Sequence, residues 1–134
     1  MPDPLGEIDG LMAAVPDGAW AALDERERAY DRISAGHQVN HSANQSPEVV
    51  VYSIPGDKHA PSDATCPVLL SYLDVVVQGY LQEFGESGAR AFFATTDGWD
   101  APVFDDRTAP VYPRHQKLMA SERGLVDEML SELG

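Results

Sequence analysis

Trp20-Ala21-Ala22-Leu23-Asp24-Glu25-Arg26-Glu27-Arg28-Ala29-Tyr30 is the stretch on which the reading of this chain turns. It contains neither proline nor glycine, its residues favour helix, and the pattern predicts a first helix from Ala19 to about Tyr30. Asp17 or Gly18, in the turn ahead of it, can open that helix. At about 100° per residue, Trp20, Leu23, Glu27 and Tyr30 fall on one face, because their separations are three, four and three. One carboxylate therefore sits among apolar neighbours, while Glu25, Arg26 and Arg28 lie elsewhere around the helix. Burying an unpaired carboxylate is costly or raises its pKa. Glu27 is accordingly either paired, with Arg32 within reach, or used as a general base.

Working outward, Ile8 to Val15 is short and apolar and ends at the turn signal Pro16-Asp17-Gly18, which reads as a strand. On the other side, Tyr30-Asp31-Arg32-Ile33 leaves the helix, and Gly36 to Pro47 carries almost no large apolar side chains, the mark of an irregular loop. Glu48-Val49-Val50-Val51-Tyr52-Ser53-Ile54 is rich in β-branched and aromatic residues and is closed by Pro55-Gly56, so it is a strand, with a second loop to about Pro67. Leu69, Leu73, Val76, Tyr80 and Phe84 recur at helical intervals, which predicts a helix that Gly85 can end. Glu86 to Ala94 adds a shorter helix carrying Phe92 and Phe93. Thr95 to Arg114 mixes Trp99, Phe104 and Tyr112 with three prolines and reads as an extended strap. A last helix begins near Ser121, a candidate N-cap, and presents Leu125, Met129 and Leu133, or Val126 and Leu130, inward. No repeat or low-complexity tract interrupts this order.

The 134 residues suit one domain, and 43% hydrophobic against 23% charged residues is a globular composition. Nine basic against 22 acidic residues give a formal net charge of −13. That balance makes nucleic acid a poor partner, since phosphate binding requires clustered lysine and arginine. The single cysteine, Cys66, leaves no internal disulfide framework and suits a reducing compartment. Its place before an apolar helix could favour a thiolate, although a buried or idle thiol is the plainer reading. Met1-Pro2-Asp3-Pro4 has no basic region leading into an apolar run, and Val68 to Leu81 is too short and too polar to span a bilayer. A cytoplasmic protein without a membrane partner is expected.

Other constellations are weaker. His37 and His41 are four apart, an interval that could serve a metal on a helix, but they stand in a polar loop without the glutamate of a zinc-protease motif. His59 and His115 are isolated and read as surface residues. Asp97, Asp100, Asp105 and Asp106 cluster without calcium-loop spacing, so a solvated strap is expected. Ser53, Ser62 and Ser71 lack the glycine frame of a nucleophile elbow, and there is no glycine-rich phosphate loop.

Leu23-Asp24-Glu25-Arg26-Glu27, followed by Tyr30 and Arg32, resembles the γ-glutamylcyclotransferase-like family, in which a leucine-aspartate-x-x-glutamate helix is followed closely by tyrosine and arginine. Asp9-Gly10-Leu11 and Val15-Pro16 resemble the strand and proline turn ahead of that helix. Val49-Val50-Val51-Tyr52 is similar to a later strand with a valine-tyrosine end, and Ser71-Tyr72-Leu73-Asp74 with Gly79 to the next helix. The likeness covers roughly residues 8 to 84, and Asp97-Gly98-Trp99-Asp100-Ala101-Pro102 resembles an extension in one bacterial branch.

The resemblance implies an α+β fold of a single domain, residues 1–134, with a core over about 8–95 and a strap and helix over 96–134. A small mixed sheet or partial barrel would be flanked by helices. It also implies that Glu27 is the acid–base residue, with Tyr30 and Arg32 lining or bracing the substrate site. The base takes a proton from the α-amine of a γ-glutamyl amide, and the amine attacks its own γ-carbonyl, giving 5-oxoproline and a free amine or amino acid. Such a reaction requires no metal or cofactor, because the nucleophile belongs to the substrate and proximity favours ring closure.

The family's N-terminal strand and tyrosine-glycine-serine loop, whose amides form an anion nest for the substrate carboxylate, have no counterpart in this sequence. Three expectations follow: the natural protein is longer, another chain supplies the strand, or the chain is a degenerate scaffold without activity. Open sheet edges favour a homo-oligomer or a partner chain that completes the sheet. The non-catalytic alternative is an interaction module that uses Trp99, Tyr112 and edge strands.

Overall fold

The computed structural model describes residues 5–58 and 65–134. The protein is α+β, and its residues fall into two compact units, 12–58 and 5–11 with 65–134. Four short strands make two separate two-stranded sheets among the described residues, in place of the expected mixed sheet or partial barrel.

In the first unit, helix α1 spans Trp20–Arg26, strand β1 Asp31–Ser34 and strand β2 Val50–Ser53. β1 and β2 run antiparallel, with Asp31 opposite Ser53, Arg32 opposite Tyr52, Ile33 opposite Val51 and Ser34 opposite Val50. The strand expected over Ile8 to Val15 does not form, and residues 8–15 are irregular. A strand is stabilised by its cross-strand neighbours more than by intrinsic preference, and this segment finds none. The Pro16–Gly18 turn is a 3₁₀ turn in which Asp17 and Gly18 both adopt positive φ, 55° and 62°. Ala19 is the N-cap of α1 and makes no side-chain cap hydrogen bond, so neither Asp17 nor Gly18 opens the helix.

α1 is shorter than its propensity allows. The Glu27 N–H donates to the Leu23 carbonyl at 2.9 Å, and the Glu27 carbonyl then accepts the Tyr30 N–H at 2.8 Å, turning the chain into β1. β1 carries one apolar residue, Ile33, which is why composition does not mark it as a strand. Its pairing with β2 supplies the order. Residues 36–47 are irregular, as expected.

In the second unit, helix α2 spans Leu70–Thr95 and contains Gly85 at φ 69°, ψ −171°, a conformation open essentially to glycine alone. The two helical stretches expected on either side of Gly85 are thus present and meet at that residue. The buried stripe is Leu70, Leu73 and Val77, continued by Ala89 and Phe93. Of the expected face, Leu73 is fully buried, while Leu69, Val76, Tyr80 and Phe84 flank the stripe half-buried. Gly88 is required by close approach, since a Cβ there would collide with the Phe84 side chain.

Helix α3, Ala120–Leu133, buries Leu125, Val126 and Met129 against this stripe, while Leu133 stays exposed. Its N-cap is Met119, not Ser121: the Glu122 carboxylate accepts the Met119 N–H at 2.7 Å and ties down the first turn. Between α2 and α3 the strap is largely irregular, with strand β4, Val103–Phe104, pairing in parallel with strand β3, Val68–Leu69. Trp99 stacks on Phe93 with ring centroids 4.8 Å apart and donates its indole N–H to the Phe93 carbonyl at 3.0 Å.

Asp106 corrects the expectation of a solvated acidic strap. It is 3% exposed, and its carboxylate accepts the Ser71 N–H at 2.7 Å, the Ser71 hydroxyl at 2.5 Å and the Val111 N–H at 2.8 Å. Next to it, Arg107 clasps the buried Asp74 carboxylate through two nitrogens at 2.8 and 2.7 Å and reaches Asp127 at 2.6 Å. These bonds raise the Arg107 pKa against the opposing effect of its burial. The strap is therefore pinned by buried polar groups that are fully partnered.

Candidate functional site

The motif residues lie where α1 gives way to β1. Because the helix ends at Arg26, Glu27 is its C-cap, and Tyr30 does not continue the Trp20, Leu23 and Glu27 face. Trp20, Leu23 and Glu27 are half-buried, the Glu27 side chain being 27% exposed. The Tyr30 side chain is exposed, and the structure joins it to Glu27 only through the turn's backbone bond.

The expected pairing of Glu27 with Arg32 is replaced by another. The Arg26 Nε donates to the Glu27 Oε1 at 2.8 Å. Arg32 turns to Asp24 at 3.4 Å, and its guanidinium lies over the Trp20 ring, 4.9 Å from the centroid. Asp24 also accepts the Tyr52 hydroxyl at 2.5 Å. β2 thus holds α1 through a phenol-carboxylate bond, and β1 holds it through an ion pair and a cation–π contact. Partial burial, and next the hydrogen bond and negative charge of Asp24, lift the Tyr52 phenol above its ordinary value of 10.0, while Arg32 opposes them.

Asp24, Tyr52 and Trp20 are the members that sequence reasoning did not assign to the site. For two of them a signal existed. Asp24 precedes Glu27 by three, one turn back on the same side. Tyr52 ends an apolar strand run with a polar tip that requires a partner when half-buried.

The arrangement offers a carboxylate with one oxygen engaged by a guanidinium and access to solvent, beside a tied cluster of carboxylate, guanidinium and phenol. A carboxylate so placed is chemically able to accept and return a proton. No group of three His, Cys, Asp or Glu among the described residues is placed to hold a metal ion, and the His41 Nδ1 accepts the Ala43 N–H at 3.3 Å. His59 and Ser62 lie outside the described residues. The Ser71 hydroxyl is committed to Asp106. Elsewhere, the unit that contains α2 and α3 has a cavity of about 230 Å³ lined by Glu7, Ile8, Asp9, Tyr80 and Phe92 among others. No described helix is long and apolar enough to cross a membrane.

The class these residues define is an α+β protein whose motif helix is clipped to a β-hairpin. Comparison with protein-family models, with curated proteins and with solved structures finds no match.

Proposed function

We propose that the chain is a γ-glutamylcyclotransferase-like protein that cyclises a γ-glutamyl amide to 5-oxoproline and releases an amine or amino acid. The observation that carries this reading is the convergence of the motif: Glu27 stands half-buried at the end of α1, one turn from an Asp24 that is tied to both Arg32 and Tyr52. Glu27 is the acid–base residue. It takes a proton from the substrate α-amine as that nitrogen attacks the γ-carbonyl, and returns it to the leaving amine. Arg32 braces the site through Asp24 and Trp20, and Tyr30 borders it. The reaction uses no metal or cofactor, and the proposal extends to a cytoplasmic protein, a compartment in which its single thiol would stay reduced.

The test is 5-oxoproline release from a panel of γ-glutamyl amides, with Glu27→Gln beside the unsubstituted chain. Loss of a positioned acid–base group is expected to lower turnover by about 10²- to 10⁴-fold. Undiminished turnover in Glu27→Gln refutes the assignment of Glu27, and no release from any amide refutes the activity.

A second reading, a non-catalytic interaction module of the same fold, is favoured by one observation. Ile33 and Val51, directly opposite each other across β1 and β2, are 48% and 49% exposed. A two-stranded sheet with an uncovered apolar pair is the kind of surface that a second copy or a partner strand completes.

A further inference from the structure

Resting on the reading of Glu27 as the acid–base residue, we propose that Asp24 and Tyr52 are positioning residues: their hydrogen bond, braced by Arg32, fixes where the end of α1 holds Glu27. The argument starts from helix length. α1 has seven residues, no side-chain cap at its N-terminus and no fully buried side chain. Isolated helices shorter than about 12 residues are marginal in water, so α1 owes its direction to what it is tied to.

The ties among the described residues converge. Tyr52 donates to Asp24 Oδ1, Arg32 reaches Asp24 Oδ2, and the same guanidinium covers Trp20. Arg32 and Tyr52 are cross-strand partners, so the hairpin register delivers both groups to one carboxylate. Asp24 is three residues before Glu27, and with the Glu27 N–H bonded to the Leu23 carbonyl the two carboxylates move as one rigid turn. A shift of the Asp24 anchor therefore becomes a shift of Glu27. Misplacement of a reacting group by about 1 Å can cost about 10²-fold in rate. The raised phenol value of Tyr52 fits a hydroxyl held as donor to an anion. By linkage, this contribution is complete below the ordinary phenol value and is lost as pH rises through the folded one.

Three variants of the full chain test the proposal: Tyr52→Phe, which removes one oxygen, Asp24→Asn, and Tyr72→Phe as a control in the other unit. Two readouts are taken. The first is the ¹³C carboxyl resonance of Glu27, assigned by its absence in Glu27→Gln. The second is turnover of the γ-glutamyl panel. Tyr52→Phe and Asp24→Asn are expected to displace the Glu27 resonance and to lower kcat about tenfold or more with KM little changed, while Tyr72→Phe does neither. A displaced resonance in both variants with no turnover even in the unsubstituted chain upholds the clamp and overturns the γ-glutamyl reading instead. An undisplaced resonance in a Tyr52→Phe protein that still melts cooperatively overturns the clamp, as does an unchanged kcat.

Discussion

Each of the two units of this chain has its own internal means of cohesion. Among the described residues, nine of the ten buried apolar ones, Leu70, Leu73, Val77, Ala89, Phe93, Leu118, Leu125, Val126 and Met129, belong to the unit of α2 and α3, and the tenth, Ala35, to the other. The helical unit closes a hydrophobic core and then pins its strap with Asp106 and Arg107. The hairpin unit relies on four ladder pairs and a polar clamp around Asp24. Dense apolar contact gives one region most of its free energy of folding, whereas the region with the candidate chemistry has little. Geometry held by a few polar bonds is easily displaced, and the site is therefore the more sensitive region to single atoms.

The largest expected effect lies in the core. Phe93 is 2% exposed, touches Phe92 and stacks on Trp99. Phe93→Ala removes a buried ring and leaves a cavity, which is expected to cost about 3–5 kcal/mol in chemical denaturation. If the two regions differ as described, hydrogen exchange in this variant rises throughout α2 and α3. A loss below about 1 kcal/mol would mean that the core is far looser than its burial indicates.

Next in size is the pin under the strap. Burial opposes ionisation of Asp106, but bonds from the Ser71 hydroxyl, the Ser71 N–H and the Val111 N–H outweigh it and hold the carboxyl below its ordinary value of 3.8. A depressed carboxyl contributes stability that is present above its unfolded pKa and lost as pH falls through the folded one. Asp106→Asn cannot accept all three bonds and is expected to cost about 2 kcal/mol at neutral pH. The same variant should flatten the fall of melting temperature below pH 3.8, the ordinary value of the carboxyl. An acid limb identical to that of the unsubstituted protein would move the acid sensitivity to another group.

Much of the helical unit is legible in the sequence, for physical reasons that differ by element. Gly85 is readable because only glycine tolerates its backbone angles, and the helix before it because apolar residues recur every three or four positions. The buried stripe keeps Leu73 but takes Leu70 and Val77 where Leu69 and Val76 were expected, and Ser71 and Asp74, polar and unremarkable in sequence, are buried beside it with distant partners, Asp106 and Arg107. Those partners are 35 and 33 residues away, beyond any local window. In the hairpin unit the reading is poorer. Ile8 to Val15 has strand composition but no neighbour, whereas Asp31 to Ser34 has a neighbour without strand composition. Glu27 is half-buried beside Trp20 and Leu23, but its cation is the adjacent Arg26 and not the expected Arg32, which serves Asp24. Periodicity shows which face a residue occupies and is silent on which of several arginines meets which carboxylate.

The smallest expected effect is also the sharpest comparison, because the same substitution can be made in both regions. Val126 in α3 is 0% exposed and Val51 in β2 is 49% exposed. Replacing valine by threonine keeps shape and β-branching and exchanges a methyl for a hydroxyl. At Val126 the hydroxyl enters the core, and an unpaired polar group there costs about 1–3 kcal/mol. At Val51 the hydroxyl meets water, and the change is expected to stay within about 0.5 kcal/mol at any protein concentration. Thermal melts of the two variants at low and high concentration decide the matter. A Val51→Thr loss that grows with concentration would show that the Ile33 and Val51 face is covered by a second copy, because only an associated state gains stability by mass action. That result would promote the interaction-module reading over the enzymatic one, while a concentration-independent, near-neutral Val51→Thr leaves the exposed face idle and the clamp around Asp24 as the feature that accounts for this unit.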